Sequence, residues 1–316
     1  MTRVAAIDCG TNSIRLLIAD VDPVAGTLVD LDRRMEVVRL GAGVDQTGEI
    51  APEAMQRTLA ATAEYAKLCR AAGVGAVRFV ATSASRDARN RDEFVSGVRS
   101  ILGVEPEVIA GAEEAALSFA GATVGLSAAH ESPFLIVDLG GGSTEVVLGK
   151  GTVEAALSVD IGCVRLTERH LRSDPPTAAE LEAATADVDA ALDRVAAVVP
   201  LAQARTLVGV AGTVTTITAH VLGLSAYDPA AIHGTTLDVE RVLAACDELT
   251  AMPRAARAAL PYMHPGRVDV IGAGALIWRR VVQRVALNAG ITATVTSEHD
   301  ILDGICWSMV QPSTRE

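Results

Sequence analysis

The feature that most constrains this chain is a segment that occurs twice. Val4-Ala-Ala-Ile-Asp8-Cys-Gly10-Thr-Asn12-Ser13 is followed by an apolar run from Ile14 to Ala19, interrupted only by Arg15. Phe134-Leu-Ile-Val-Asp138-Leu-Gly140-Gly141-Gly142-Ser143 is followed by Thr144-Glu145-Val-Val-Leu148. Asp8 aligns with Asp138, Gly10 with Gly140 and Ser13 with Ser143, at a constant offset of 130 (138 − 8). Each copy reads as a buried strand with an acid at its end, a turn of Gly, Ser and Thr, and a second strand. Solenoid repeats run to about 50 residues at most, so this spacing excludes a solenoid. It implies two similar domains facing each other, each offering one such turn.

A chain of 316 residues, half of them apolar, is long enough to bury two cores. Aromatic residues make up only 3%, so those cores are built from Ala, Val, Leu and Ile, which suits buried strands flanked by Ala-rich helices. The pattern along the chain alternates accordingly. It predicts a strand pair over Leu28 to Leu40, a helix from Pro52 to Gly73, a strand from Val77 to Ala81, and a loop from Thr82 to Arg86. A helix from Asn90 to Leu102 follows, capped by Asn90, then a short strand from Glu107 to Ile109 and an Ala-rich helix opening at Gly111. Gly121 to Pro133 reads as a linker. Beyond it the sequence predicts helices over Thr177 to Val199, Leu237 to Ala251 and Val268 to Val285, a strand near Leu207, a strand from Thr292 to Val295 and a last helix from Asp300 to Val310. The last few residues carry no pattern. The expected domains are residues 1–124 with a C-terminal helix from about 298 to 316, and residues 125–297.

Several functional classes are disfavoured. The formal charge of −12 argues against broad electrostatic binding of nucleic acid, although six arginines between Arg70 and Arg99 show that charge is sorted locally. The five cysteines are scattered and never form a C-x-x-C pair, which supports neither a disulfide framework nor a zinc site and points to a reducing cytoplasm. No signal peptide opens the chain, because Asp8 interrupts the first apolar run. The stretch from Thr206 to Leu224 is broken by Gly209, Gly212, several threonines and His220, so no membrane span is expected.

The second turn carries the most chemistry. Gly140-Gly141-Gly142-Ser143-Thr144 leaves a bend without bulky side chains, whose N–H groups can converge on an anion; glycine permits positive φ and close approach. A phosphate beside Asp138 and Glu145 would be repelled unless a cation stood between them, and Mg²⁺ characteristically takes one or two carboxylates, waters and substrate phosphates. For a single such turn, a hairpin with a solvated acid is the competing reading. The second copy, with Asp8, Asn12 and Ser13, makes that reading hard to sustain.

These residues resemble the exopolyphosphatase and guanosine-pentaphosphate phosphohydrolase family, within the actin and sugar-kinase superfamily. The resemblance is carried by Ala6 to Ser13, Ala81 to Asn90, Gly111 to Ser118, Val137 to Glu145 and Gly162 to Glu168, and more weakly by Ala211-Gly212-Thr213 and Gly266-Arg267-Val-Asp269. It implies two actin-like (ribonuclease H-like) α/β domains with an interdomain cleft. It further implies Mg²⁺ or Mn²⁺ on Asp138, Glu145 and Asp8, and substrate contacts from Asn12, Ser13, Arg86, Gly140, Gly141, Gly142, Ser143, Thr144, Gly212, Thr213 and Arg267. It assigns Glu114 as the base that deprotonates the attacking water; neighbours on a helix point about 100° apart, so Glu113 and Glu114 cannot face one site equally. Arg165 is a weaker candidate; it and Arg267 have ion pairs with Glu168 and Asp269 as their competing reading. Two departures stand out: the C-terminal helical extension of longer members is absent, and Ala211 stands where many members carry glycine. The expected partner is inorganic polyphosphate or guanosine pentaphosphate, with no nucleic acid or membrane, in a homodimer. A kinase or ATPase of the same superfamily, or an idle polyphosphate sensor, is the alternative class.

Overall fold

The computed structural model describes residues 1–124, 126 and 130–310. The chain divides into two units, one holding Met1–Gly121 with the C-terminal stretch from Ile301, the other Ala122–Asp300. The first is built on a five-stranded sheet of β1 (Thr2–Cys9), β2 (Ser13–Asp22), β3 (Thr27–Val37), β4 (Ala76–Ala81) and β5 (Glu107–Val108), in the order β3-β2-β1-β4-β5. The three leading strands are antiparallel neighbours, and β4 and β5 continue the sheet in parallel. β1 lies at the centre because residues Val4 to Cys9 are apolar on both faces apart from Asp8. β3 is the edge strand, and its Asp30, Asp32, Arg33, Arg34 and Glu36 guard that edge with charge.

The second unit repeats this topology. β6 (Phe134–Leu139), β7 (Thr144–Gly149), β8 (Val153–Val159), β9 (Thr206–Val210) and β11 (Ala293–Thr296) take the places of β1 to β5, and β10 (Thr236–Asp238) adds an outer antiparallel strand, giving β10-β11-β9-β6-β7-β8. The duplicated segments are therefore the central hairpin of each sheet. Helices pack on these sheets to bury the cores. In the first unit Ile7, Leu16, Tyr65, Phe79 and Phe94 are sealed from solvent; in the second, Trp278 on the Ile271–Ala289 helix sits among Leu135, Val188, Leu249 and Val281.

Several local expectations change. Leu28 to Leu40 is not a strand pair: β3 is one strand paired with β2 from Ser13↔Val37 to Asp22↔Thr27, with one irregularity beside Ile18. The segment after β4 is a short helix, Ser83–Asp87, rather than a loop. Asn90 precedes the Arg91–Leu102 helix without capping it; its amide instead accepts from the Ile50 N–H at 2.9 Å and donates to the Ile50 carbonyl at 3.0 Å. The helix opening at Gly111 runs to Thr123, into the expected linker, of which positions 125 and 127–129 lie outside the described residues. The patternless tail, 311–316, lies outside them too. The helix placed at Leu237 begins at Val239, after β10, and the one placed at Val268 begins at Ile271, after a 3₁₀ turn at Pro265–Arg267. Among the described helices of eight residues or more, two escaped the sequence pattern, Cys163–His170 and Ala211–Leu222. Among the described residues no helix is long and apolar enough to cross a membrane. All five cysteines are buried, free thiols; burial pushes Cys69 up to about 11, far from a reactive thiolate.

Candidate functional site

In each unit the candidate residues gather at the carboxyl ends of the parallel strands, where ligands meet open α/β sheets. In the second unit β6 ends in Asp138 and the glycine turn, and β9 leads into Ala211, Gly212 and Thr213. In the first, β1 ends in Asp8 and the turn to Ser13, β4 leads into the helix carrying Arg86, and β5 leads to the helix carrying Glu114.

The second turn is braced from behind. The helix Cys163–His170 begins directly beside it, and its first N–H groups, which no helical carbonyl can satisfy, donate to the turn instead. Cys163 N–H reaches the Gly140 carbonyl at 3.0 Å, and Val164 and Arg165 N–H reach the Gly141 carbonyl at 2.9 and 3.1 Å. The Arg165 side chain adds a 2.7 Å bond from Nε to the Gly142 carbonyl. Because N–H and C=O point opposite ways across a trans peptide, anchoring these carbonyls turns the N–H groups of Gly141, Gly142 and Ser143 away from the brace. Such a run of N–H groups makes an anion cradle. The glycines serve close approach, not positive φ, since none of Gly140, Gly141 and Gly142 is left-handed. A Cβ on Gly162 would lie 2.4 Å from the Gly141 carbonyl carbon, so only glycine lets the helix come this near.

Asp138 and Glu145 stand directly opposite each other in the antiparallel register of β6 and β7, only 7% and 1% exposed. Residues so placed have Cβ atoms about 4.5–5.5 Å apart, and like charges there repel. Ser158, opposite Glu145 on β8, donates from Oγ to Glu145 Oε1 at 2.7 Å. Thr144 is committed to the Ile161 carbonyl at 2.7 Å. Two buried carboxylates in register beside an anion cradle form a donor set that suits a hard divalent cation. They are a pair: among the described residues no group of three or more His, Cys, Asp or Glu is disposed to hold a metal.

The first turn has the same backbone. Gly10 N–H donates to the Ser13 carbonyl at 3.0 Å, as Gly140 N–H does to Ser143 at 3.0 Å. Its carbonyls are held by the segment after β3: Asn12 accepts from Val38 and Arg39 N–H at 3.1 and 2.8 Å, and Thr11 from Gly41 N–H at 2.9 Å. The side chains differ. Opposite Asp8 stands Arg15, which donates to Asp8 Oδ2 from Nη2 at 2.6 Å and from Nε at 3.0 Å. Asn12 Oδ1 is buried without a partner in the chain.

Thr82 N–H bonds the Cys9 carbonyl at 3.1 Å and Ser83 Oγ meets Thr11 Oγ1 at 2.8 Å, so the short helix bearing Arg86 starts against this turn. Arg86 Nη1 donates to the Ile109 carbonyl at 3.0 Å and to Glu114 Oε2 at 3.2 Å. Glu114 is 7% exposed, whereas Glu113 points outward to Arg78 at 2.7 Å. The helix thus separates the two glutamates as its geometry requires.

Gly212, Thr213 and Arg267 form the remaining group. The Arg267 guanidinium lies over Gly212, where a Cβ would come within 2.3 Å of Nη2, and donates to Thr216 Oγ1 at 3.1 Å. It also sits 5.9 Å from the Tyr227 ring centroid, and Tyr227 OH donates to Glu298 at 2.6 Å. Asp269 pairs with Arg254 at 2.5 Å. Ala211 holds φ 69, the left-handed region that glycine occupies without strain. Sequence reasoning passed over Arg15, Ser158 and the bracing role of Arg165. Only Arg15 left a visible trace, as a charge inside an apolar run.

The chain matches the Ppx/GppA phosphatase family over residues 17–308. It is 52% identical to a protein named exopolyphosphatase 2 from Mycobacterium tuberculosis, covering 98% of this chain and 99% of that one. It is 37% identical over 214 residues to the guanosine-5'-triphosphate,3'-diphosphate pyrophosphatase of Photobacterium profundum, covering 66% of this chain and 42% of that one. Among solved structures, an exopolyphosphatase-like protein is similar at 46% identity with a TM-score of 0.94, covering 98% of this chain and 97% of the other.

Proposed function

The chain belongs to the Ppx/GppA phosphatase family, and from that premise we propose that it hydrolyses the terminal phosphoanhydride of inorganic polyphosphate. The observation that carries this reading is the second turn, an N–H cradle with the buried Asp138–Glu145 pair in register beside it. Asp138 and Glu145 would hold Mg²⁺ or Mn²⁺, which when bound neutralises phosphate oxygens and polarises phosphorus toward attack. The N–H groups of Gly141, Gly142 and Ser143 hold oxygens of the terminal phosphate, with Thr144 fixing the end of the turn. Asp8, Asn12 and Ser13 of the first turn are further groups for phosphate and ion, Asp8 by holding the ion or one of its waters. The unpartnered Asn12 Oδ1 accepts from a bound water or a protonated phosphate oxygen.

Glu114 takes the proton of the attacking water as the new P–O bond forms and the anhydride bond breaks. A carboxylate paired with a guanidinium is a weakened base. Arg86 can redirect its hydrogen bond from Glu114 to a phosphate oxygen on binding, which relieves its hold on the base and places a cation on the transferred group. Gly212, Thr213 and Arg267 hold the distal part of the substrate, with Gly212 leaving room for the guanidinium. The reading extends to a homodimer in the cytoplasm.

A second reading, hydrolysis of guanosine pentaphosphate, draws on the similarity to the Photobacterium profundum pyrophosphatase. Phosphate release from short polyphosphate, long polyphosphate, guanosine pentaphosphate and ATP, measured side by side, separates the two. We expect the polyphosphates to be fastest; a faster guanosine pentaphosphate establishes the second reading, and turnover of ATP alone overturns both. Glu114→Ala is expected to lower phosphate release by about 10³-fold while polyphosphate still binds. Near-normal turnover in the folded variant removes Glu114 from the role of base.

A further inference from the structure

Glu114 stands on the helix Gly111–Thr123, and two contacts within the first unit fix where that helix lies. One is made by the helix Ile301–Ser308 near the end of the chain. Gly304 is buried in its middle, where glycine is less stable than alanine, so its presence calls for a reason. The reason is distance. A Cβ there would lie 2.0 Å from the Leu117 carbonyl oxygen, 2.8 Å from its carbonyl carbon and 3.1 Å from its Cα. All three are backbone atoms of the Glu114 helix, so no side chain could rotate aside. The two helices would have to part by about 1 Å or more to reach ordinary contact. Leu117 follows Glu114 by three residues, about 4.5 Å along the helix axis. The second contact is Arg78 on β4, whose side chain is 17% exposed. Its Nη2 donates to Glu113 Oε1 at 2.7 Å and to Glu107 Oε2 on β5 at 2.6 Å, and its Nη1 to Ser308 Oγ at 2.8 Å. One guanidinium thus joins the start of the Glu114 helix to the sheet and to the end of the Ile301–Ser308 helix.

We infer that Gly304 and Arg78 are positioning residues for Glu114. Gly304 sets how closely the Glu114 helix lies against its neighbour, because the contact is backbone to backbone. Arg78 sets its roll: neighbours on a helix point about 100° apart, so holding Glu113 outward fixes the direction of Glu114. Misplacing a reacting group by about 1 Å can cost about 100-fold in rate, which is the scale of shift a Cβ at Gly304 would impose. The inference rests on the reading of Glu114 as the base that takes the water's proton.

The test measures kcat and KM for phosphate release from polyphosphate by the full chain, at a temperature where circular dichroism shows each variant folded. Gly304→Ala should lower kcat by about 30-fold and Arg78→Gln by about tenfold, with KM within about threefold of wild type. Arg78→Lys should recover part of the second loss. Because both residues act through Glu114, adding either substitution to Glu114→Ala should slow the residual rate by no more than about twofold. A role in stability alone would lower the rate alike in both backgrounds. If Gly304→Ala does not fold, Arg78→Gln and Glu113→Ala, which break the same 2.7 Å bond at the start of the helix, carry the test. Wild-type kcat in the folded variants overturns the inference, and so does an equal loss of rate with and without the Glu114 carboxylate. Near-normal turnover in Glu114→Ala defeats the reading of the base instead, and is distinguishable because that variant leaves Gly304 and Arg78 in place.

Discussion

The Asp8 hairpin and the Asp138 hairpin share a backbone and differ in chemistry. Both close with the same N–H to Ser carbonyl bond at 3.0 Å, and both have their turn carbonyls tied down by the segment that follows the third strand of their sheet. In the first unit that segment is a loop, Val38 to Gly41; in the second it is the start of the Cys163–His170 helix. Each segment contains a glycine that makes the approach possible, Gly41 against Thr11 and Gly162 against Gly141. The difference teaches that the two units keep one turn backbone while the residue across the strand pair changes sign, Arg15 opposite Asp8 and Glu145 opposite Asp138.

The largest test of that contrast is Glu145→Arg, which writes the first turn's pair into the second. Phosphate release should fall by about 10³-fold or more and dependence on Mg²⁺ should vanish, read from rate against Mg²⁺ concentration. An unchanged Mg²⁺ curve breaks the comparison. Gly162→Ala comes next. Its Cβ would meet backbone at 2.4 Å, which cannot yield without moving the turn, so stability should drop by about 2–3 kcal/mol in denaturant titration and the rate should fall with it. Gly41→Ala meets side chains rather than backbone, the Thr11 methyl at 2.4 Å and the Ala84 Cβ at 3.1 Å, so a smaller loss of about 1 kcal/mol is expected. Equal losses in the two variants would show that the braces are not distinguished by what they touch. The smallest effect is expected from Ser158→Ala, which removes one 2.7 Å hydrogen bond from Glu145. Mg²⁺ affinity should weaken by about tenfold with little change in stability.

Much of the central architecture was legible because it rests on residue type and spacing. Apolar residues bounded by Gly and Ser marked both hairpins. The helix period required Glu113 and Glu114 to face different ways, the family resemblance chose Glu114, and the structure sends the first outward to Arg78 and buries the second beside Arg86. What escaped depends on neighbours distant in the chain. Asn90 has the composition of a helix cap, but Ile50, forty positions away, offers its amide both a donor and an acceptor. Leu28 to Leu40 reads as a strand pair, yet Thr27–Val37 is one edge strand, where the charges of the segment are tolerated. The Cys163–His170 helix is short and polar, and it exists where the glycine turn satisfies its first N–H groups.

The amino-acid order alone settled that the fold is doubled and where its two acidic turns lie, since periodicity and turn composition are properties of adjacent residues; the family came from the resemblance of whole motifs, and the match over residues 17–308 bears it out. Only the tertiary structure decided that Asp8 meets a guanidinium and Asp138 a second carboxylate, and that the glycine turn is pinned by a helix start. Those outcomes follow from strand register and close backbone approach, which arise only when segments apart in the chain are brought into contact.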